Sequence, residues 1–128
     1  FAFRIDPQAL RVTNEAFCDA LNAELRCGDA FEAPYDPLHQ CAIYKPLTKR
    51  RHALDAEYLK AIDPKRFKLP VCEEANQRSG IVVHHQMLMN TREDMDEVAA
   101  AVRKVVAHID EVRMLKPGAR RKYQALAH

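Results

Sequence analysis

The feature that most constrains the fold is an amphipathic segment near the carboxyl end of the sequence. From Arg92 to Leu115, apolar residues recur every three or four positions, which predicts a long helix with one apolar face. That face consists of Met95, Val98, Ala99, Val102, Val105, Val106, Ile109 and Val112. Thr91 and Asp94 resemble a capping box at its start, and Pro117 predicts its end. A helix with so wide an apolar face needs a second layer to cover it.

Two segments are candidate strands for that second layer. In "FAFRID", Phe1, Phe3 and Ile5 alternate with other residues, which is typical of a half-buried strand. Pro7 is predicted to end this strand, because proline cannot donate a ladder hydrogen bond. The second candidate is "IVVHHQMLM", which begins at Ile81. Together they predict a small sheet.

Two more helices are predicted, with a long irregular region between them. Thr13 or Asn14 caps a helix that runs to about Leu25. Pro70 opens another helix, since proline suits the first turn. Residues 29–70 contain several prolines and are predicted to be mostly extended loop, with one short helix in "LDAEYLKAID". A loop region of this length is either functional or lies against another part of the protein.

The order of these elements, strand-helix-loop-helix-strand-helix, predicts the fold class. We expect an α+β domain of two layers, in which a short antiparallel sheet packs on helices. We place this domain at residues 1–115 and a basic tail at residues 116–128. The chain has 128 residues, which is enough for one hydrophobic core. Because it lacks an initiator Met and opens inside a predicted strand, we expect it to be a fragment of a longer protein.

Composition and charge argue against several classes of protein. The 20 Lys and Arg residues nearly balance 18 Asp and Glu residues, so there is no electrostatic basis for a nucleic-acid partner. No apolar run approaches the roughly 20 residues that span a bilayer, so we predict no membrane partner. The start does not resemble a signal peptide, and the four cysteines contain no C-x-x-C pair. We therefore expect reduced, buried thiols and a cytoplasmic location.

Histidines are the first candidates for chemistry. His84 and His85 are adjacent, and successive side chains of a strand point to opposite faces, so we do not expect them to share a metal ion. His39 and His52 lie in predicted loops, and no spacing matches a zinc site. A role for one histidine in a polar cleft and a role in packing have equal weight at this point. Cys18 lies on a core-like helix face and is predicted to be buried and inert.

Four stretches taken in order resemble one known family. They are "FRIDP", "NEAFCDALNAE", "PYDPLHQCAIYKPLT" and "LPVCEEANQRSGIVVHHQMLMNTREDMDEVAAAVRKV". Together they resemble the C-terminal domain of the DegT/DnrJ/EryC1/StrS aminotransferases, the pyridoxal-phosphate (PLP) enzymes of fold type I that act on sugars and cyclitols. The chain is most similar to the branch that uses glutamine as amino donor for inosose-type cyclitols. The resemblance extends from about Phe1 to Ile109, and its motifs are specific in their combined order and spacing.

The resemblance implies a division of roles between two domains. In the family, a large N-terminal domain holds the cofactor lysine, the aspartate that pairs with the pyridine nitrogen, and most phosphate contacts. None of that pattern occurs here, so the large PLP-binding domain is absent from this chain. The resemblance accordingly assigns no catalytic, cofactor-binding or metal-binding residue to it. It implies that this small domain supplies one wall of the substrate pocket, that the large domain of the same enzyme is its partner, and that the intact enzyme is a homodimer.

The resemblance also implies candidate substrate-binding residues. Many family members have a His-Tyr pair followed by Leu-His in the loop after the first helix, and this chain reads "PYDPLH" there. Tyr35 and His39 match the family tyrosine and second histidine, whereas Pro34 replaces the first histidine. In "VVHHQMLM", His84 or His85 is the residue that would face a small-molecule substrate.

The function implied by the resemblance is the C-terminal part of a PLP-dependent aminotransferase. The intact enzyme would transfer an amino group to a keto sugar or keto cyclitol, with the cofactor as electron sink. The 128-residue chain alone is not expected to be active. The alternative is a stand-alone, non-catalytic α+β interaction domain, derived from the same family, that binds a partner through the loop from Gly28 to Pro70.

Overall fold

The computed structural model describes residues 1–41 and 53–115. Its strands are β1 (Ala2–Arg4), β2 (Phe31–Glu32) and β3 (Gly80–Val83). Its helices are α1 (Pro7–Leu10), α2 (Asn14–Leu25), α3 (Ala56–Ala61), α4 (Pro70–Glu74), α5 (Arg92–Ala107) and α6 (Ile109–Met114). Short 3₁₀ turns lie at Leu38–Gln40, Pro64–Arg66 and His85–Met89, and a π-helical turn, Ala75–Ser79, continues α4. The predicted basic tail and His52 lie outside the described residues.

The three strands form an antiparallel sheet in the order β1-β3-β2, with β3 at its centre. Phe3 lies opposite Ile81, and Phe31 lies opposite Val83, so these four residues share the face that packs into the core. Because strand residues alternate between faces, Val82 and its neighbours in β1 and β2 belong to the other face. The predicted α+β class and antiparallel sheet are confirmed.

Helix α2 is the central element of the helical layer, because it contacts β2, β3, α5 and α6. The buried apolar core joins the sheet to these helices and consists of Val12, Ala16, Phe17, Cys18, Leu21, Ala30, Phe31, Ile81, Val83, Ala101, Val105 and Val112. The predicted bounds of α2 are confirmed, with Thr13 Oγ1 accepting the Ala16 N–H at 3.2 Å as the N-cap. Among the residues described, no helix has the length and apolarity needed to cross a bilayer.

The long helix predicted from Arg92 is two helices, which meet at His108. Its predicted capping box is confirmed: Asp94 donates its N–H to Thr91 Oγ1 at 3.3 Å, and the Asp94 carboxylate accepts the Thr91 N–H at 2.9 Å. Hydrogen bonds from the Thr91 side chain and backbone lower the pKa of Asp94. Val106, assigned to the apolar face, is instead 41% exposed, because it lies one residue beyond the buried Val105 and is rotated by about 100° around the helix.

Two short elements were not predicted. Pro7 does not simply end a strand, because it opens α1, where the Asp6 carboxylate caps the helix by accepting the N–H groups of Gln8 and Ala9. Strand β2 lies in the region predicted as loop. The Asn22 side chain holds Phe31 in this strand by donating to Phe31 O at 2.7 Å and accepting the Phe31 N–H at 3.0 Å.

Candidate functional site

Two buried asparagines fix the loop that carries Tyr35 and His39. Asn14 Nδ2 donates to the carbonyl oxygens of Asn76 and Gly80, both at 2.9 Å. Asn76 Nδ2 donates to Pro34 O at 2.7 Å and to Tyr35 O at 2.9 Å. The two asparagines are 0% and 3% exposed, so they satisfy carbonyl groups that water does not reach. The loop after β2 is therefore fastened to α2 and to the π-helical turn through side-chain amides.

Gly80 lies where this loop, the π-helical turn and β3 approach each other. A Cβ atom on Gly80 would lie 2.5 Å from Ala75 O and 2.7 Å from Pro34 Cγ, so a larger residue would force the backbone apart. The Pro34 ring packs directly against Gly80. Pro34 therefore serves as a packing contact at this position.

His39 lies in the 3₁₀ turn Leu38–Gln40, and its side chain is only 8% exposed. His39 Nε2 lies 3.2 Å from Glu73 Oε1 on α4, and the same carboxylate oxygen accepts the Leu69 N–H at 3.1 Å. The Leu69 N–H, and after it the His39 side chain, lower the pKa of Glu73. Within the described residues, His39 Nδ1 is buried and has no hydrogen-bond partner. The His39 side chain thus joins the loop to α4 through Glu73.

Tyr35 is close to His39 in sequence but differs from it in environment. Tyr35 is 65% exposed, and its backbone carbonyl is held by the Asn76 amide. The backbone at this position is therefore fixed while the phenol ring lies at the surface.

The structure separates the two adjacent histidines. The prediction that a strand runs through both was wrong, because β3 ends at Val83 and a 3₁₀ turn begins at His85. His84 keeps the strand alternation and lies on the non-core face, where its Nε2 is 2.9 Å from Glu32 Oε1 of β2. His85 is exposed on the turn. Among residues 1–41 and 53–115, no three His, Cys, Asp or Glu side chains form a metal-binding cluster.

His84 also lines a surface cavity. The cavity has a volume of about 260 Å³, and its other lining residues are Cys27, Asp29, Ala30, Gln86 and Met87. Tyr35 and His39 follow Glu32 along the chain, but no hydrogen bond in the described part joins His39 to His84. The predicted site residues therefore occupy two regions: His84 lies at the cavity, and His39 lies against α4. Sequence reasoning missed Glu32 and Glu73, because nothing in the residues next to either glutamate indicates that its carboxylate pairs with a histidine.

A second, more apolar cavity lies at the start of α4. Its volume is about 440 Å³, and it is lined by Lys68, Leu69, Pro70, Val71, Cys72 and Ala75. Val71 is 76% exposed, Leu69 is 43% exposed, and the nearby Phe67 is 41% exposed. Large apolar side chains grouped in this way are typical of a surface that contacts another protein segment.

The cysteines are free thiols in differing environments. Cys18 is 3% exposed, and burial, with the nearby carboxylate Asp19 second, raises the pKa of its thiol to about 12. The prediction that Cys18 is buried is confirmed, and the raised pKa disfavours the reactive thiolate. The expectation of buried thiols is wrong for Cys72, which is exposed because it lies in the first turn of α4 with few contacts, and Cys27 and Cys41 are only partly buried.

The described lysines do not form a site for PLP. Lys60, Lys65, Lys68 and Lys104 are all exposed, and Lys104 Nζ lies 2.7 Å from a carboxylate oxygen of Glu24. A Schiff-base lysine needs a desolvated position or a cationic neighbour that lowers its pKa, and no described lysine is buried. The described residues therefore do not fit the cofactor.

Comparison with known proteins gives relatives of one kind. No family model matches the chain. The chain is 46% identical over 95 residues to the L-glutamine:2-deoxy-scyllo-inosose aminotransferase of Streptoalloteichus tenebrarius. This alignment covers 74% of the chain and 22% of that enzyme. It is 43% identical over 90 residues to the enzyme of the same name from Streptomyces paromomycinus, and this alignment covers 70% of the chain and 20% of that enzyme. It is 35% identical over 113 residues to the L-glutamine:scyllo-inosose aminotransferase of Streptomyces griseus, and this alignment covers 88% of the chain and 26% of that enzyme.

The chain spans only about a fifth to a quarter of the length of these curated relatives. The matched region is their C-terminal part. The chain is thus homologous to the C-terminal part of glutamine-dependent cyclitol aminotransferases, and the comparison supports the aminotransferase relationship predicted from the motifs.

Proposed function

We propose that this chain is the C-terminal small domain of a PLP-dependent aminotransferase of the DegT/DnrJ/EryC1/StrS family, with fold type I in its intact form. The intact enzyme would transfer the amino group of L-glutamine to a keto cyclitol of the scyllo-inosose class. The observation that carries this proposal is the 46% identity over 95 residues to an L-glutamine:2-deoxy-scyllo-inosose aminotransferase. The resemblance of the motifs around Tyr35 and His84 to the family agrees with it.

In this proposal the chain binds and orients the substrate. When bound, PLP supplies the electron sink for the reaction, and it would be held by the large domain. His84, at the 260 Å³ cavity, would contact substrate hydroxyl groups, and the exposed phenol of Tyr35 would contact them from the loop. His39 would hold that loop against α4 through Glu73. His85 is exposed on the 3₁₀ turn and is not among the residues that line this cavity.

The proposed partner of the apolar surface at α4 is the large domain of the same enzyme. Three large apolar residues, Phe67, Leu69 and Val71, are between 41% and 76% exposed there. Covering them would remove apolar area from water, which favours association. Assembly of the intact enzyme into a homodimer stays a prediction.

The experiment that tests the proposed function uses the full-length protein that contains these residues. The purified protein is incubated with L-glutamine and 2-deoxy-scyllo-inosose, and the aminated cyclitol is detected by mass spectrometry. We expect product only when both substrates are present, together with a visible absorption band from bound PLP. The same incubation with L-alanine as donor is the control for the choice of glutamine.

Two results would contradict the proposal in different ways. A protein with the cofactor band but no aminated product would not act on this keto cyclitol. A protein with neither the band nor turnover would instead support the stand-alone interaction domain.

A further inference from the structure

Glu32 and His84 form a pair that the sheet itself holds in place. Glu32 lies opposite Val82 in the β2–β3 register, and His84, the first residue after β3, lies two residues beyond Val82 on the same face. The His84 N–H donates to the carbonyl oxygen of Ala30, the residue before β2, at 2.9 Å, so a backbone hydrogen bond extends the pairing of the two segments as far as His84. The side chains are 39% exposed for His84 and 25% exposed for Glu32, with Nε2 and Oε1 2.9 Å apart.

This contact determines which nitrogen of a neutral His84 ring carries the proton. An ionised carboxylate only accepts hydrogen bonds, so Nε2 must be the donor. In a neutral imidazole the other nitrogen is then an acceptor, and the hydrogen bond also fixes the ring orientation. Within the described part of the chain, His84 Nδ1 has no hydrogen-bond partner, and the residue lines the 260 Å³ cavity.

We propose that Glu32 is a positioning residue for His84: it holds the Nε2–H form, so that Nδ1 is offered as a hydrogen-bond acceptor to a hydroxyl group of the substrate. This inference rests on the proposed function and adds a specificity rule to it. A hydroxyl group can donate to Nδ1, whereas a keto oxygen can only accept. His84 therefore selects a hydroxyl-bearing carbon of the ring and directs the keto carbon elsewhere in the pocket.

The tautomer is tested directly by NMR on the full-length protein with ¹⁵N-labelled histidine. Long-range ¹H–¹⁵N correlations distinguish protonated from unprotonated ring nitrogens, and the signals that disappear in His84→Gln belong to His84. In the neutral His84 ring we expect a proton on Nε2 alone. In Glu32→Gln we expect both tautomers, because an amide can pair with either. In Glu32→Leu the preference should also be lost.

Two NMR results would overturn the tautomer assignment. One is a neutral His84 ring, in the unmodified protein, whose proton lies on Nδ1 or is shared between Nδ1 and Nε2. The other is an unchanged Nε2–H preference in both Glu32 variants. Glu32→Gln keeps the size of the side chain, so circular dichroism of that variant separates loss of positioning from loss of folding. Glu24→Leu, which breaks the surface ion pair with Lys104 in the helical layer, is the matched control and should leave the His84 signals unchanged.

The substrate role is tested by steady-state kinetics on variants that imitate one ring nitrogen at a time. His84→Asn places an amide near the position of Nδ1, whereas His84→Gln places it near the position of Nε2. We expect Glu32→Gln to raise the KM for the keto cyclitol about twofold, because about half of the His84 rings would keep the Nε2–H form. His84→Gln should raise it about tenfold, as loss of one hydrogen bond predicts. His84→Asn should keep a lower KM than His84→Gln, and Glu24→Leu should match the unmodified enzyme.

The kinetic outcomes separate this inference from the proposed function. An unchanged KM in Glu32→Gln, or a lower KM in His84→Gln than in His84→Asn, would overturn the positioning role while the enzyme remains an aminotransferase. If the unmodified protein aminates no keto cyclitol, the proposed function and the hydroxyl contact fail together. The NMR result still decides whether Glu32 sets the tautomer of His84.

Discussion

Replacing Asn76 by aspartate should loosen the loop that carries Tyr35 and His39. The substitution keeps the shape of the side chain but removes the Nδ2 donor, which serves both Pro34 O and Tyr35 O. An ionised carboxylate at this position would face those two carbonyl oxygens with no proton to share. Asn76 is 3% exposed, so water cannot easily replace either bond.

The magnitude follows from the two bonds. Each buried hydrogen bond contributes about 1 kcal/mol, and each carbonyl left unpaired adds a desolvation penalty of similar size, so we expect a loss of about 2–4 kcal/mol. If the loss is confined to opening of the loop, 2 kcal/mol corresponds to about 30-fold faster amide exchange. Hydrogen-exchange mass spectrometry on the full-length protein measures this in peptides that cover residues 31–41.

The control is Asn90→Asp, because Asn90 is exposed and its Nδ2 makes one bond, of 3.3 Å, to Met87 O. Acid should partly rescue Asn76→Asp, since protonation of the introduced carboxyl restores one donor. Burial without donors raises the folded-state pKa of that carboxyl, so the deficit is small at low pH and grows as pH rises through the raised value. Exchange in Asn76→Asp equal to that in Asn90→Asp at neutral pH would refute the reasoning.

Three further predictions follow from burial and charge. Val105→Asp should unfold the domain by burying an unpaired charge, whereas Val106→Asp, one residue away and 41% exposed, should be tolerated; equal thermal stabilities would show that α5 packs on another face. A maleimide at neutral pH should label Cys72 well before Cys18, whose pKa is raised to about 12, and peptide mapping that found Cys18 labelled first would contradict this. The lowered pKa of Glu73 means that its stabilising contribution is present above the unfolded-state pKa and is lost as pH falls through the lower folded-state value. Glu73→Gln should therefore flatten the acid limb of a stability–pH curve, and an unchanged limb would remove Glu73 from that transition.

The long elements could be predicted because their signals are local and repeated. The apolar spacing in α2 and α5 extends over several turns, and Thr13 and Thr91 mark the two starts by their capping hydrogen bonds. The break at His108 could not be predicted in the same way, because the apolar pattern continues through Ile109 and Val112 on the same face. Periodicity reports which face is buried but not whether the helix axis continues.

The short elements depend on contacts that sequence does not display. Strand β2 has only two residues, too few for any alternation, and the Asn22 side chain pairs with it from α2. Strand β3 ends at Val83 although the apolar residues Met87, Leu88 and Met89 follow. There the backbone turns, with Met87 N–H donating to His84 O at 3.1 Å. A local pattern of apolar residues does not distinguish that turn from a continuing strand.

The candidate histidines were predicted, but their partners were not. Glu73 is 34 residues from His39, and Glu32 is 52 residues from His84, so only the fold brings each pair together. The partners matter because a histidine whose Nε2 is bonded to a carboxylate has one ring nitrogen left for another contact. Motif order could indicate which residues belong to the site, but it could not indicate which atom of each residue is available.

The environments of the two histidines argue for different roles in the proposed pocket. Both have Nε2 bonded to a glutamate, but the His39 side chain is 8% exposed and the His84 side chain is 39% exposed. The His84 ring lines the surface cavity, whereas His39 Nδ1 is buried, and exposing it would require the loop and α4 to separate. Since Asn76 and Gly80 hold that loop in place, separation would cost the hydrogen bonds and packing described above. We therefore infer that His84 makes the substrate contact and that His39 acts through the position of Tyr35.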